Sequence, residues 1–205
     1  MGVLEILQLR LKPAYSPSDP IIIATLDKER KELREKVHNT QSRMFTAVDD
    51  PSLIYIFGVW PSLEKHRAFL ASPLKAEIIN SPLFKLGWMF HIPLDSIDEL
   101  PLDAPVVAVA RQHIKGNKHV TGYKEKITET YRETLLKEIK PYKIVSGWRV
   151  DGNAGEEEHA VITGWETKED HMAFEAGLKA KYRDYARLEE HGDQLEVYHL
   201  KDLEG

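Results

Sequence analysis

The sequence predicts an α+β chain built from two tandem β-α-β-β-α-β repeats, and three observations carry that prediction. The stretch Gly58-Val59-Trp60-Pro61-Ser62-Leu63-Glu64-Lys65-His66-Arg67-Ala68-Phe69 returns as Gly164-Trp165-Glu166-Thr167-Lys168-Glu169-Asp170-His171-Met172-Ala173-Phe174, with Trp, Ser/Thr, Glu, His, Ala and Phe in one order. In both copies a Trp ends an apolar run, a hydroxyl residue follows two places on, and a polar stretch of helical period begins. That is a strand handing over to a capped helix. The 205 residues also divide near mid-length at a proline-rich stretch, giving copies of about 100 residues, an ordinary domain size.

In chain order, residues 3–11 alternate as a half-buried strand stopped by Lys12-Pro13. A helix follows over about 21–37, where Ile22, Leu26, Leu33 and Val37 keep helical spacing and a charged run forms the solvated face. Strands are predicted over 43–48 and 53–60, separated by the turn Asp49-Asp50-Pro51. The next helix starts at Ser62, with Glu64 in its first turn. Pro73 and Pro82 break the chain beyond it into short pieces, and 86–92 is a fourth strand. Residues 1–95 thus form the first repeat, 96–105 a linker and 106–205 the second. The second repeat predicts strands at 106–114, 143–150, 159–165 and 194–200, with helices over about 120–139 and 168–190. Each half reads as ferredoxin-like, an antiparallel sheet with helices on one face only. The other sheet face needs a partner, and the second copy can supply it.

Composition excludes several classes. The chain is 42% hydrophobic and 30% charged, with a formal net charge of -5 and no basic stripe, so nucleic acid is not an expected partner. There is no cysteine, hence no disulfide framework, thiolate metal site or Cys nucleophile. No His-x-x-x-His, His-x-His, phosphate loop, nucleophile elbow or dinucleotide fingerprint occurs. The expectation is no metal and no cofactor. The N-terminus lacks the apolar core of a signal peptide, no apolar run reaches a membrane span, and Ile6 stands where a myristoylation motif needs Ser or Thr. A cytoplasmic protein with no membrane partner is expected.

The segments Val59-Trp60-x-Ser62-x-Glu64-x-His66-x-x-Phe69-Leu70-x-Ser72-Pro73 and Gly164-Trp165-x-Thr167-x-Glu169-x-His171-x-x-Phe174 resemble the dimeric α+β barrel superfamily. The likeness is to its antibiotic biosynthesis monooxygenase-like and stress-responsive A/B-barrel branches. It implies two ferredoxin-like units pairing their sheets into a barrel, here fused in tandem, with a ligand cavity between sheet and helices in each unit. It implies intramolecular pairing of the repeats and leaves room for a further homodimer. The helix Tyr and His of the related polyketide cyclases fall on Phe69 and Lys75, and on Phe174 and Ala180. Their first-strand His falls near Glu5, and around Val109 or Ala110. The Trp and axial His of the haem-degrading branch fall on Phe69 and Ile79. Neither pattern is matched. Cofactor-free oxidation of polycyclic phenols, which uses loosely patterned polar and aromatic groups, stays open.

His66 and His171 are the catalytic candidates, since a neutral imidazole titrates near working pH. Each shares a helix face with a Phe at i+3 and so points toward the sheet. The competing reading is structural: a packed imidazole under the strand-end Trp, bonded to a backbone carbonyl. Trp60 and Trp165 read as plugs of the strand–helix junction. Substrate-binding candidates are His91 and His199, which correspond between the halves, and residues present in one half only: Tyr55 and Trp88 in the first, Arg111, His113 and Trp148 in the second, where His159 is likewise without a counterpart. Arg111 and His113 share a strand face and could form with Trp148 a cationic and aromatic pocket. The function expected is cofactor-independent monooxygenase- or cyclase-like chemistry on a hydrophobic aromatic or polyketide-type molecule. The alternative is a non-catalytic binding or stress-response protein.

Overall fold

The computed structural model describes residues 1–37, 40–125, 132–153, 157–182 and 190–203. The chain divides into two units, Met1–Ile97 with Lys201–Gly205, and Asp98–Leu200. In the first unit the order is β1 (Val3–Leu11), α1 (Pro20–Lys36), β2 (Gln41–Ala47), β3 (Leu53–Trp60), α2 (Leu63–Leu70), α3 (Pro73–Ile78) and β4 (Phe84–Pro93). β1 pairs antiparallel with both β3 and β4, and β2 with β3, giving the order β4-β1-β3-β2. This is the ferredoxin-like arrangement.

Register decides which residues meet the helices, because side chains alternate across a sheet. Val3 lies opposite Trp60 and Glu5 opposite both Gly58 and His91. Leu9, Leu11, Met44 and Ile54 belong to the helix-facing row, packed with Ile22 and Leu26 of α1. Val3 and Trp60 join Phe69 of α2 and Ile78 of α3. Burying each such side chain stabilises by about 1.5–3 kcal/mol. Pro20 and Pro73 open α1 and α3 at a position where the missing N–H costs nothing. Ser62 caps α2, its Oγ accepting from the Lys65 N–H at 3.3 Å. The last residues return to this unit: Leu203 N–H donates to the Met44 carbonyl, and Asp202 pairs with Arg43.

The second unit runs β5 (Val106–Ile114), α4 (Gly116–Glu125), α5 (Arg132–Glu138), β6 (Ile144–Trp148), β7 (Glu157–Trp165), α6 (Lys168–Lys181) and β8 (Gly192–Asp202, whose last two residues count with the first unit). Its strands pair in the order β8-β5-β7-β6, the same as in the first unit. Thr167 caps α6, accepting from the Asp170 N–H at 3.1 Å.

The helix predicted over 120–139 begins earlier, at Gly116, whose φ of 56° suits a residue without a Cβ. It is followed by α5, and residues 126–131 lie outside those described. The helix predicted over 168–190 ends at Lys181, where Tyr182 turns to extended backbone while its N–H still bonds the Leu178 carbonyl. Residues 183–189 are outside those described. The stretch read as a linker is packed: Ile97 and Leu100 are buried, and Pro101 and Ala104 press on Gly164, where a Cβ would come within 2.7 Å of the Ala104 Cβ.

Candidate functional site

A cavity of about 410 Å³ opens in the first unit between the helix-bearing sheet face and α1, α2 and α3. Its walls are largely aliphatic, with Leu7, Leu9 and Ile56 from the sheet and Leu26 and Leu33 from α1. That volume and lining are those of a small-molecule site. Leu86, 67% exposed, and Leu70 also line it and give it an apolar lip.

The polar floor is built from three elements. Glu5 replaces an apolar residue in the inward row of β1, and Gly58 opposite leaves room for it: a Cβ there would stand 3.1 Å from Glu5 Oε2. Trp60 at the end of β3 donates its indole N–H to that oxygen at 2.8 Å. His66 of α2 stacks on the Trp60 ring at 4.2 Å and 22°. Its Nε2 is 3.7 Å from Glu5 Oε2, and its Nδ1 is 2.6 Å from Nε2 of His91 on β4. Carboxylate, imidazole and imidazole therefore stand in series, all buried. Glu5, Trp60 and His66 line the cavity, and His91 backs His66 from behind. Burial pushes the Glu5 carboxyl above the usual range, against the Trp60 hydrogen bond and nearby His91. A carboxylate raised this way is a stronger base than an ordinary one.

The second unit repeats the imidazole pair without the acid. His171 Nδ1 is 2.8 Å from His199 Nε2, and His171 packs on Trp165 at 4.9 Å. Ala108 stands where the first unit has Glu5, opposite Thr163 and His199, and the Trp165 N–H goes to Thr163 Oγ1 at 2.7 Å. Burial, with His199 alongside, holds His171 down at about 4. A carboxylate approaches from the helix instead, with Glu175 Oε1 3.6 Å from His171 Nε2. His66 and His171 are each paired with the strand His that corresponds between the halves.

The remaining candidates lie elsewhere. Tyr55 and Trp88 are edge to face at 5.8 Å on the sheet face away from the cavity, where Tyr55 OH accepts from Gln8 Nε2 at 2.6 Å. Arg111 and His113 share a face, as expected, with Glu158: Arg111 Nε donates to Glu158 Oε2 at 2.7 Å, and His113 Nδ1 is 3.7 Å from Oε1. Burial would raise Glu158, but Arg111 and Arg149 prevail and hold it below the usual carboxylate range. The pocket combining this pair with Trp148 is not formed. Trp148 is opposite His159, and His159 opposite Gln112, so parity puts Trp148 on the other face. There Tyr123 OH lies 3.4 Å from His159 Nδ1, and burial, aided by Arg132, holds His159 down at about 4.

Sequence reasoning passed over Glu5 and Glu29, which both line the cavity. The signal was present: each acid interrupts an apolar row, Glu5 among Val3, Leu7 and Leu9, and Glu29 among Ile22, Leu26 and Leu33. Among the described residues no cluster of three or more metal-ligating side chains occurs, and no helix is long and apolar enough to cross a membrane.

No family model matches the chain, and no curated protein does. Solved structures do. An anthrone oxidase-like protein aligns with a TM-score of 0.65 at 12% identity, covering 98% of this chain and 91% of the other. A candidate monooxygenase from Lactobacillus acidophilus NCFM gives 0.62 at 11%, covering 98% and 94%. A chlorite dismutase variant from Candidatus Nitrospira defluvii gives 0.59 at 9%, covering 99% and 92%. At such identities the likeness shows the fold alone, a ferredoxin-like α+β arrangement.

Proposed function

We propose that the first unit binds a hydrophobic fused-ring or polyketide-type molecule and that the chain acts on it as a cofactor-independent oxidase or monooxygenase. The observation that carries this is the series Glu5–His66–His91 at the floor of an aliphatic cavity, with the carboxyl raised by burial and oriented by Trp60. The alignment with proteins named anthrone oxidase-like and monooxygenase supports the same reaction class. The two units, sharing strand order and the Trp–His–His cluster, are read as tandem copies whose sheets pair into one barrel.

The chemistry follows from the floor. A ring CH2 flanked by two aromatic rings and conjugated through them to a ring carbonyl, as in anthrone, loses a proton to ionised Glu5. The low dielectric that makes Glu5 a stronger base also favours the delocalised carbanion over a localised charge. His66 Nε2 can take that proton onward, and the short Nδ1–Nε2 contact with His91 lets the positive charge spread over two imidazoles. The carbanion is oxidised by dioxygen: a C–O bond forms and the peroxide regains a proton; then the remaining C–H proton leaves that carbon as the O–O bond breaks, and the departing hydroxide takes up a proton to leave as water. One oxygen atom ends as the product carbonyl and the other as water.

The test is oxygen uptake with anthrone and no added cofactor, in the native protein and in Glu5→Gln. Uptake that stoichiometrically yields the quinone and falls at least 100-fold in the variant is expected. Binding without uptake would instead support the carrier reading.

A further inference from the structure

We infer that Glu29 is a second ligand anchor, so that the cavity selects fused-ring molecules carrying a hydroxyl on the side remote from the reacting carbon. The inference rests on the cavity reading above and adds the chemistry of its opposite wall.

Glu29 projects from α1 at a position whose neighbours along the same stripe, Ile22 and Leu26 before it and Leu33 after it, pack inward. A helix face with this spacing calls for an apolar residue there. The side chain is half-buried and lines the cavity. Among the described residues it makes no hydrogen bond or ion pair, whereas its neighbours are engaged: Arg30 donates to Asp27 at 2.9 Å, and Glu32 lies near Lys28 and Lys36. A carboxylate that interrupts an apolar stripe and faces an aliphatic cavity unbonded is costly to the fold. Such local inconsistencies concentrate where a ligand resolves them.

Glu5 breaks the inward row of the sheet in the same way on the floor of the same cavity. Two acids therefore stand on different walls of a largely apolar space, one already held by an indole and one without a hydrogen bond or ion pair among the described residues. A hydroxyl donated to Glu29 would satisfy that carboxylate while the reacting carbon sits over Glu5. The charged or titratable groups that line the cavity with Glu29 are Glu5, Arg30, His66 and Lys75, and Lys28 and Glu32 act on it along α1. Burial pushes the Glu29 carboxyl up to about 7, with Lys28 opposing and Glu32 adding, so at pH 8 it is mostly the stronger, ionised acceptor.

The experiment compares anaerobic binding of anthrone and 1,8-dihydroxyanthrone at pH 8 by tryptophan fluorescence, in the native chain and in Glu29→Leu. Native protein is expected to prefer the dihydroxy compound about tenfold, and the variant to lower that ratio to within twofold while still binding anthrone. The ratio cancels any general change in apolar affinity. A ratio unchanged in Glu29→Leu, or near unity in the native protein, overturns the anchor and leaves the cavity reading standing. If neither compound binds the native protein, the cavity reading and this inference fall together.

Discussion

Replacing Glu29 by Gln should stabilise the protein, and only at the alkaline side. Glu29 rises from 4.5 to about 7 because burial penalises its charged form. Between those two values the native state holds a proton that the unfolded chain has released, so stability falls as pH rises through 4.5 to 7 and is level above it. A shift of that size corresponds to about 3 kcal/mol, and water at the half-exposed side chain reduces it to about 1–2 kcal/mol. Gln keeps the shape and removes the charge. Urea unfolding should therefore show the variant about 1–2 kcal/mol more stable at pH 8 and equal to the native protein within about 0.5 kcal/mol at pH 4.5. Equal stabilities at both pH values, or a variant weaker at pH 8, would refute the account of Glu29 as a carboxylate held in an unfavourable place.

His66→Ala and His171→Ala each remove a buried ring and its imidazole partner, and each should cost about 1–3 kcal/mol in denaturant melts. Only His66→Ala should also lower oxygen uptake. With His159 and His171 both held at about 4, the unfolded chain binds more protons between pH 4 and 6.5, so stability should drop as pH falls through that window. His171→Gln should flatten the drop in thermal melts, and an unchanged slope would count against a neutral buried ring. Gly164→Ala forces a methyl group against Ala104, Tyr142 and Pro101 and should destabilise by about 1–3 kcal/mol, read as a lowered melting temperature.

Much of the architecture was legible because two periodicities and two caps specify it. β1, β3 and β5 occupy the residues that their apolar pattern marks, and Ser62 and Thr167 cap the helices they were expected to start. Helix ends were less legible in the second half, where Gly116 opens α4 by its backbone conformation and no apolar residue announces it. For the site, the inward aim of His66 and His171 followed from helical spacing. That each meets a His 25 or 28 residues away follows from strand register, which one strand alone does not reveal. The same parity separated Trp148 from Arg111. Glu5 and Glu29 were hidden because a lone acid in an apolar stripe counts as noise in a periodicity and becomes a signal only when two stripes are seen to enclose one space.

The exchange of Glu5 and Gly58 for Ala108 and Thr163 constrains how either half can change. A Glu at 108 would meet the Thr163 side chain, and a Gly at 163 alone would leave the Trp165 N–H without its oxygen, a loss of about 1–3 kcal/mol. Each single step passes through a poorer protein, whereas the pair together restores one oxygen for one indole. The acid is thus locked to its half by mutual dependence between two strands. A chain of two similar units with such locks can keep the acid in one unit while the other drifts in every respect except the contacts that hold its sheet and helices together.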